Sequence, residues 1–297
     1  MIQQSSGDFV LVRLQGGLGN QLFQYALGFH ISTLKSIPLF FDQSAYFGQA
    51  PIPGETPRSF ELARLVNDRQ LFEDAQAIRQ NWALANSRLQ RVLRVLGWTK
   101  GVTLLTDRNI AGSRLNSISG KILLKGYFQS ESYFTSSSQD LRKRIREVLP
   151  KKSIERFEAE RPVVAVHVRL GDYIANPVAA AYHATCGPAY YRTAMELMRS
   201  RLDRPLFMVY SDDLPAARAL FQSAEDVVFS NAEDTDDPWN DLSRMANADH
   251  HIIANSSYSW WAAWLGVKRD QQVVAPATWY KSEPTPSNLL PQNWIRL

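Results

Sequence analysis

With 297 residues, 45% hydrophobic and 21% charged, the chain can bury two cores of roughly 150 residues each and is too apolar to be disordered. A formal charge of +4 suits phosphate-bearing ligands or an anionic surface and is too small to mark a nucleic-acid binder. Cys186 stands alone, which excludes an internal disulfide and fits a reducing compartment; the start MIQQSSGDFVLVRL lacks a signal-peptide pattern, and no run reaches the ~18 apolar residues of a membrane span, so the expectation is a cytoplasmic protein.

FVLVRL (9–14) reads as a strand and Gln21 to Leu34 as a helix, with QGGLGNQ packed into the corner between them. Gly16, Gly17 and Gly19 let a backbone approach a ligand closely, and amides at a helix start favour an anion. The corner is neither a Walker loop, since no Gly-Lys-Ser/Thr follows, nor a GxGxxG dinucleotide fingerprint, so a tight packing turn is the alternative. Asn20, read as a capping residue, adds a side-chain amide that can meet a ligand oxygen. PLFFD (38–42) is the second strand, and QAPIPGETPRS (49–59) is a Pro- and Gly-rich loop placed to line a substrate entrance. In SRLQRVLRVLGW, Arg88, Arg91 and Arg94 recur every third residue opposite Leu89, Val92, Leu93 and Leu96. That pattern fits a core-packing helix with a solvated basic face stopping at Gly97, and the same face suits peripheral contact with the inner surface of a membrane. Strands near 103–106 and 122–125 complete the first half.

The charged stretch 140–162 reads as a helix broken at Pro150 and then an exposed connector. A second α/β series follows: strand 163–169, helix 189–202, strand 206–211, helix 214–223, strand 226–229, helix 240–247, strand 251–255, helix 257–266 and strand 273–276. The predicted architecture is two Rossmann-like doubly wound domains, 1–150 and 151–297, facing each other across a cleft, with ligands outside the carboxyl ends of the strands.

Polar groups gather at those strand ends. In HVRLGDY (167–173), His167 and Arg169 alternate on one side of a strand end, and an arginine there needs an anionic partner, either a phosphate or a carboxylate such as Asp172. YSDD (210–213) offers two carboxylates, read as structural or sugar-contacting rather than metal-binding, with Asp213 placed to cap the next helix. The acidic run 232–238 reads as a solvated loop. In HIIANSSYSWWAAWLG, Ser256 and Ser257 stand at a helix start, a second anion corner, while Trp260, Trp261 and Trp264 fall at core-packing spacing. Asp241 can accept two hydrogen bonds from a guanine edge or serve as an exposed helix N-cap. His250 and His251 point to opposite strand faces and read as core or loop histidines.

Together, QGGLGNQLFQYALG, HVRLGDY, the strand ending in SDD and ADHHIIANSSYSWWAAWLG resemble the motifs of glycosyltransferase family 11, the α-1,2-fucosyltransferases that use GDP-L-fucose. The resemblance spans about residues 9–280 and implies a GT-B fold and metal-independent, inverting transfer of L-fucose to the 2-hydroxyl of a terminal galactoside. The implied acceptor is an oligosaccharide or lipid-linked glycan, with no cofactor and no nucleic-acid partner. It further implies that Arg169 contacts the donor β-phosphate, that His167 and Asp241 hold the guanine nucleoside, and that Ser256 and Ser257 bind phosphate or ribose. Gly16, Gly17, Gly19 and Asn20 would approach the pyrophosphate, and Ser211, Asp213 and Asn255 complete the donor-binding set. Asp172 is the candidate general base, with His167 able to take that role only if the nucleotide does not occupy it. Leu170 departs from the HxRRxD pattern of related fucosyltransferases and removes one guanidinium. Two other classes fit parts of the pattern: a non-catalytic nucleotide-sugar or glycan-binding protein on the same fold, and an NAD-type oxidoreductase, against which the glycine spacing argues.

Overall fold

The computed structural model describes residues 7–47, 58–66, 71–72, 75–76, 102–113, 115–151, 161–170, 184–221, 224–230, 237–266 and 268–297. The basic stretch 88–96, most of the loop 49–59, the connector 152–160, Asp172 and most of the acidic run 232–238 lie outside the described residues. Described residues through Arg144 form one compact unit, and those from Ile145 onward form a second.

The first unit is a four-stranded parallel sheet of β1 (Val10–Arg13), β2 (Leu39–Asp42), β3 (Val102–Leu105) and β4 (Lys121–Leu124), in the order β2-β1-β4-β3. Val10, Leu11 and Val12 of the central β1 are buried, as the unbroken apolar run requires of an interior parallel strand. Helix α1 (Leu18–Lys35) begins three residues before its expected start, because the glycine corner is shorter than the motif suggests. It ends at Ser36, whose φ of 53° puts it in the left-handed region, two residues ahead of Pro38. Gly28 brings α1 down onto the sheet: a Cβ there would lie 2.6 Å from Val12 Cγ2 and 3.0 Å from Leu39 Cδ1. Helix α2 (Ser138–Val148) follows β4 and runs into the second unit.

The second unit holds β5 (Val163–Val168), α3 (Pro188–Arg201), β6 (Leu206–Ser211), α4 (Leu214–Leu220), β7 (Val227–Phe229), α5 (Pro238–Ala246), β8 (His250–Ile252), α6 (Ser257–Trp264), β9 (Val273–Ala275) and β10 (Ile295–Arg296). All six strands are parallel, in the order β10-β9-β8-β5-β6-β7. From β5 the chain steps outward through β6 to β7, then returns past β5 and steps outward the other way through β8, β9 and β10. The reversal lies between β5 and β8, where the connections leave a crevice at the carboxyl ends. Every residue of β5 is buried, and Val164, Val166 and Val168 pack with Met195, Met198 and Phe207. On α6, Trp260 and Trp261 are fully buried, and their indoles meet edge to face at 5.2 Å, so this aromatic surface is core. The buried histidines of β8 are also structural: His250 Nδ1 accepts from the Gln272 amide at 3.0 Å, and His251 is bonded at both ring nitrogens. Strand β10, which the sequence pattern does not disclose, closes the sheet beyond β9.

Candidate functional site

In the first unit, the glycine corner follows β1. Gly16 has φ of 76°, and a Cβ on it would lie 2.5 Å from Asn20 Nδ2, so both the backbone and the neighbouring amide exclude a side chain. Gly17 is the helix N-cap and offers no side chain, while Gly19 and Asn20 lie inside the first turn; Asn20 is therefore not the cap expected of it. Its side-chain oxygen instead accepts from Gln129 Nε2 at 2.7 Å.

The corner's carbonyls are turned inward and occupied. Gln24 Nε2 donates to Gln15 O at 3.2 Å, and both Gln21 Nε2 and the Tyr46 hydroxyl donate to Gly16 O, at 2.9 and 2.8 Å. Gln24 Oε1 also accepts from the Gln15 amide at 3.0 Å, and Gln21 and Gln24 are fully buried. With these carbonyls tied down, the corner presents N–H groups at a helix start, which is the electrostatic requirement for meeting an anion. Sequence reasoning passed over Gln21, Gln24 and Tyr46, since a glutamine in an amphipathic helix reads as surface. Their signal is position: the two glutamines are three apart, on the helix face that also carries the buried Tyr25, Gly28 and Ile31.

In the second unit, the β5–β8 reversal brings together much of the predicted set. β5 ends at Val168, one residue short of expectation, so Arg169 stands just beyond the strand with its side chain only 20% exposed. Its partner is Asp212, with Nη1 to Oδ2 at 3.0 Å, and the other Asp212 oxygen accepts from the Leu170 amide at 2.9 Å. Asp212 thus fixes both the guanidinium and the start of the following loop. Adjacent strands make this pairing: β5 and β6 run side by side with His167 opposite Tyr210 and Val168 opposite Ser211.

His167 is 5% exposed, and its Nδ1 is buried with no hydrogen-bond partner among the described residues. Burial pushes its pKa down and the Arg169 charge lowers it further, against the opposing effect of Asp212. The imidazole is therefore neutral near pH 7 and a weak proton acceptor, which favours a binding role over that of general base. Its ring lies 5.7 Å from that of Tyr258 at the start of α6. Ser256 is the N-cap of that helix but makes no side-chain capping bond, and Ser257 opens its first turn. A helix start leaves its first-turn amides without intrahelical partners, which is the feature an anion corner uses.

The other predicted residues are more committed to structure. Asp213 Oδ1 accepts from the Ala216 amide at 3.0 Å and caps α4, while the Ser211 hydroxyl donates to Asp213 O at 3.1 Å and accepts from its amide at 3.0 Å. Asn255 is 2% exposed; its amide donates to both Ala184 O and Trp279 O and its oxygen accepts from the Cys186 thiol at 3.7 Å, pinning two loops together. Asp241 is not the exposed N-cap of α5, a role taken by Asp237, which accepts from the Trp239 amide at 3.0 Å. Asp241 instead lies within the helix, pairs with Arg244 at 3.3 Å, and is 15% exposed. The Tyr258 hydroxyl donates to Pro238 O at the start of α5, the helix that carries Asp241, and the Tyr258 pKa is raised by burial and then by the Asp241 charge. Among the described residues, no group of three or more His, Cys, Asp or Glu is arranged to hold a metal ion.

A family model described as Glycosyl transferase family 11 matches residues 113–297. The Escherichia coli protein named Alpha-1,2-colitosyltransferase is 29% identical over 98% of this chain and 99% of its own length. Galactoside alpha-(1,2)-fucosyltransferase 1 of Saimiri sciureus is 32% identical over 46% of this chain and 38% of its own. Among solved structures, NodZ alpha-1,6-fucosyltransferase soaked with GDP-fucose aligns over 88% of this chain and 93% of that chain, with 14% identity and a TM-score of 0.45.

Proposed function

The chain belongs to glycosyl transferase family 11, and on that premise we propose that it transfers L-fucose from GDP-L-fucose to the 2-hydroxyl of a terminal galactoside, with inversion and without a metal. The observation that carries this reading is Arg169, held by Asp212 at the β5–β8 reversal beside the helix start at Ser256 and Ser257. Cleaving the sugar–phosphate bond leaves negative charge on the diphosphate, and a fixed guanidinium with oriented amides stabilises that charge as it forms. Asp212 lowers the cost of this arrangement by setting the fork before substrate arrives. Neutral His167 and the Asp241 carboxylate are assigned to the nucleoside, His167 through its unoccupied ring nitrogen and Asp241 through paired acceptors for a guanine edge.

A galactoside acceptor is supported by the name of the Saimiri sciureus relative, and its form as an oligosaccharide or lipid-linked glycan is part of the proposal. Asp172 is proposed as the base that takes the acceptor proton. No helix among the described residues is long and apolar enough to cross a membrane.

GDP release with GDP-fucose and a galactoside panel, followed by linkage analysis of the product, tests the assignment. Arg169→Ala should lower kcat at least ~100-fold, as removal of a principal charge-stabilising group does. A variant near full rate would reject Arg169 as the phosphate group, and a wild-type protein that binds GDP-fucose but transfers nothing would favour the non-catalytic reading. A second donor is favoured by the full-length similarity to a colitosyltransferase: colitose is fucose without its 3-hydroxyl, and competition between the two GDP-sugars decides which the site prefers.

A further inference from the structure

We infer that Ser230 is a base-contacting residue of the donor site, its hydroxyl donating to the 6-oxygen of guanine; this rests on the fucosyl-transfer reading above. Ser230 follows β7, is 7% exposed, and its Oγ has no hydrogen-bond partner among the described residues. It is an exception. The other buried serines among those residues, Ser130, Ser137, Ser243 and Ser259, bond through their hydroxyls to Ser132 Oγ, His30 Nδ1, Pro150 O and Ser256 O. A buried hydroxyl left without a partner costs stability, and a ligand group that meets it offsets that cost.

Strand register decides what this hydroxyl faces. β5 pairs with β6 at His167 opposite Tyr210, and β6 pairs with β7 at Val209 opposite Phe229; the Ser230 amide continues that ladder onto Val209 O at 2.9 Å, so Ser230 stands opposite Tyr210. His167, Tyr210 and Ser230 therefore form one row across three adjacent strands at their carboxyl ends, on a single face of the sheet. The opposite face is core, where Val164, Val166, Val168, Phe207 and Val209 pack with Met195 and Met198 of α3. The row thus carries two buried polar atoms without partners, His167 Nδ1 at one end and Ser230 Oγ at the other. Tyr258 ties the same face to α5: its ring lies 5.7 Å from that of His167, and its hydroxyl donates to Pro238 O at the start of the helix whose first turn holds Asp241.

The diphosphate is assigned to Arg169 and to the start of α6, which follows β8 on the side of β5 away from β6. Strands stand about 4.8 Å apart, so Ser230 is roughly 10 Å across the sheet from His167, the reach of a nucleoside from its 5′-oxygen to the far edge of its base. A hydroxyl at that position meets the base and not the phosphates. Asp241 can only accept, and so suits the N1 proton and the 2-amino group. The neighbouring group on that edge is the 6-oxygen, an acceptor, and the uncommitted Ser230 hydroxyl supplies the donor it needs.

Ser230→Ala removes the donor and leaves nothing unpaired. Without ligand its Tm should equal or exceed that of the wild type, while GDP affinity measured by calorimetry should fall about 5- to 15-fold, as loss of one buried neutral hydrogen bond does. The diphosphate of 2-aminopurine riboside keeps the phosphates, the ribose and the 2-amino group but carries hydrogen in place of the 6-oxygen. Ser230→Ala should bind that nucleotide within twofold of the wild type, the signature of two groups that act on each other. Ser230→Cys, close in volume and a poor donor, should follow Ser230→Ala, and it gives the same decision should the alanine variant fail to fold. A variant within twofold of the wild type for GDP, or weakened equally for both nucleotides, would overturn the inference. A wild type that transfers fucose beside an indifferent Ser230→Ala removes only this inference, whereas a wild type that neither binds GDP nor transfers sugar removes the functional reading and this inference together.

Discussion

Acidification should destabilise the second unit through His251. The ring is 1% exposed on β8, with Nε2–H donating to Met245 O at 2.8 Å and Nδ1 accepting from Gln271 Nε2 at 3.1 Å. Protonating Nδ1 would break the Gln271 bond and place a charge in the core, and burial holds the pKa down to about 4 against an ordinary 6.5. Between those values the unfolded chain binds a proton that the folded one refuses, so stability falls as pH drops through 6.5 and this contribution levels off below about 4. Going from pH 7 to pH 5 should cost about 2 kcal/mol from this residue alone, or about 4–8 °C in Tm for a unit of this size. Melting curves of the wild type and His251→Gln from pH 8 to pH 4.5 measure it. The variant has its own constant offset, but its curve should fall less steeply between pH 7 and pH 5, by about one proton. Parallel curves over that window would refute the assignment of the acid sensitivity to His251. His30, His167 and His250 also have lowered pKa values, chiefly through burial, so the wild-type slope should exceed one proton in the same direction.

Gly16→Ala forces a side chain into a left-handed backbone position already filled by Asn20 Nδ2; it should cost about 1–2 kcal/mol in stability and displace Asn20, lowering transfer at least ~10-fold, read by thermal melt and GDP release. Gly28→Ala lies away from the corner and should cost about 1–3 kcal/mol by pushing α1 off Val12 and Leu39, with the transfer rate per folded molecule unchanged. EDTA should leave the initial rate within twofold, and strong sensitivity would instead implicate a metal at Asp212 and Asp213.

The sequence discloses what depends on period and composition. VVAVHV reads as an interior parallel strand because both its faces are buried, and the glycine corner is visible because Gly16 alone tolerates its φ. Arg169 and the serines of α6 are legible for the same reason, since strand ends and helix starts are where such folds keep their chemistry. Asp212 as a partner of Arg169 was not legible, because the pairing of β5 with β6 brings it there and becomes predictable only once strand order is known, while Asp172, the carboxylate near in sequence, lies outside the described residues. Asn255 enters the donor-binding set only through the family resemblance, and its amide bridges two distant carbonyls that nothing in the sequence pattern announces. Gln21, Gln24, Tyr46 and Gln129 were not legible, as nothing about a glutamine or tyrosine announces which carbonyl or amide it will meet. The two-residue β10 is too short to carry a pattern.

The order of the six-stranded sheet bears on how the chain acquires its structure during synthesis. Strand β5 pairs on one side with β6, at Val163 opposite Leu206, but on the other side with β8, at Val164 opposite His250. A ribosome must therefore deliver about twice as much chain before the second edge of β5 is covered as before the first. Until then, a strand whose residues are apolar apart from His167 presents an open row of backbone donors and acceptors, the template on which nascent chains pair with one another. Such distant pairings also slow the search for the native state. Slower translation, lower temperature and chaperone capacity should accordingly govern soluble yield more than the final free energy of folding does.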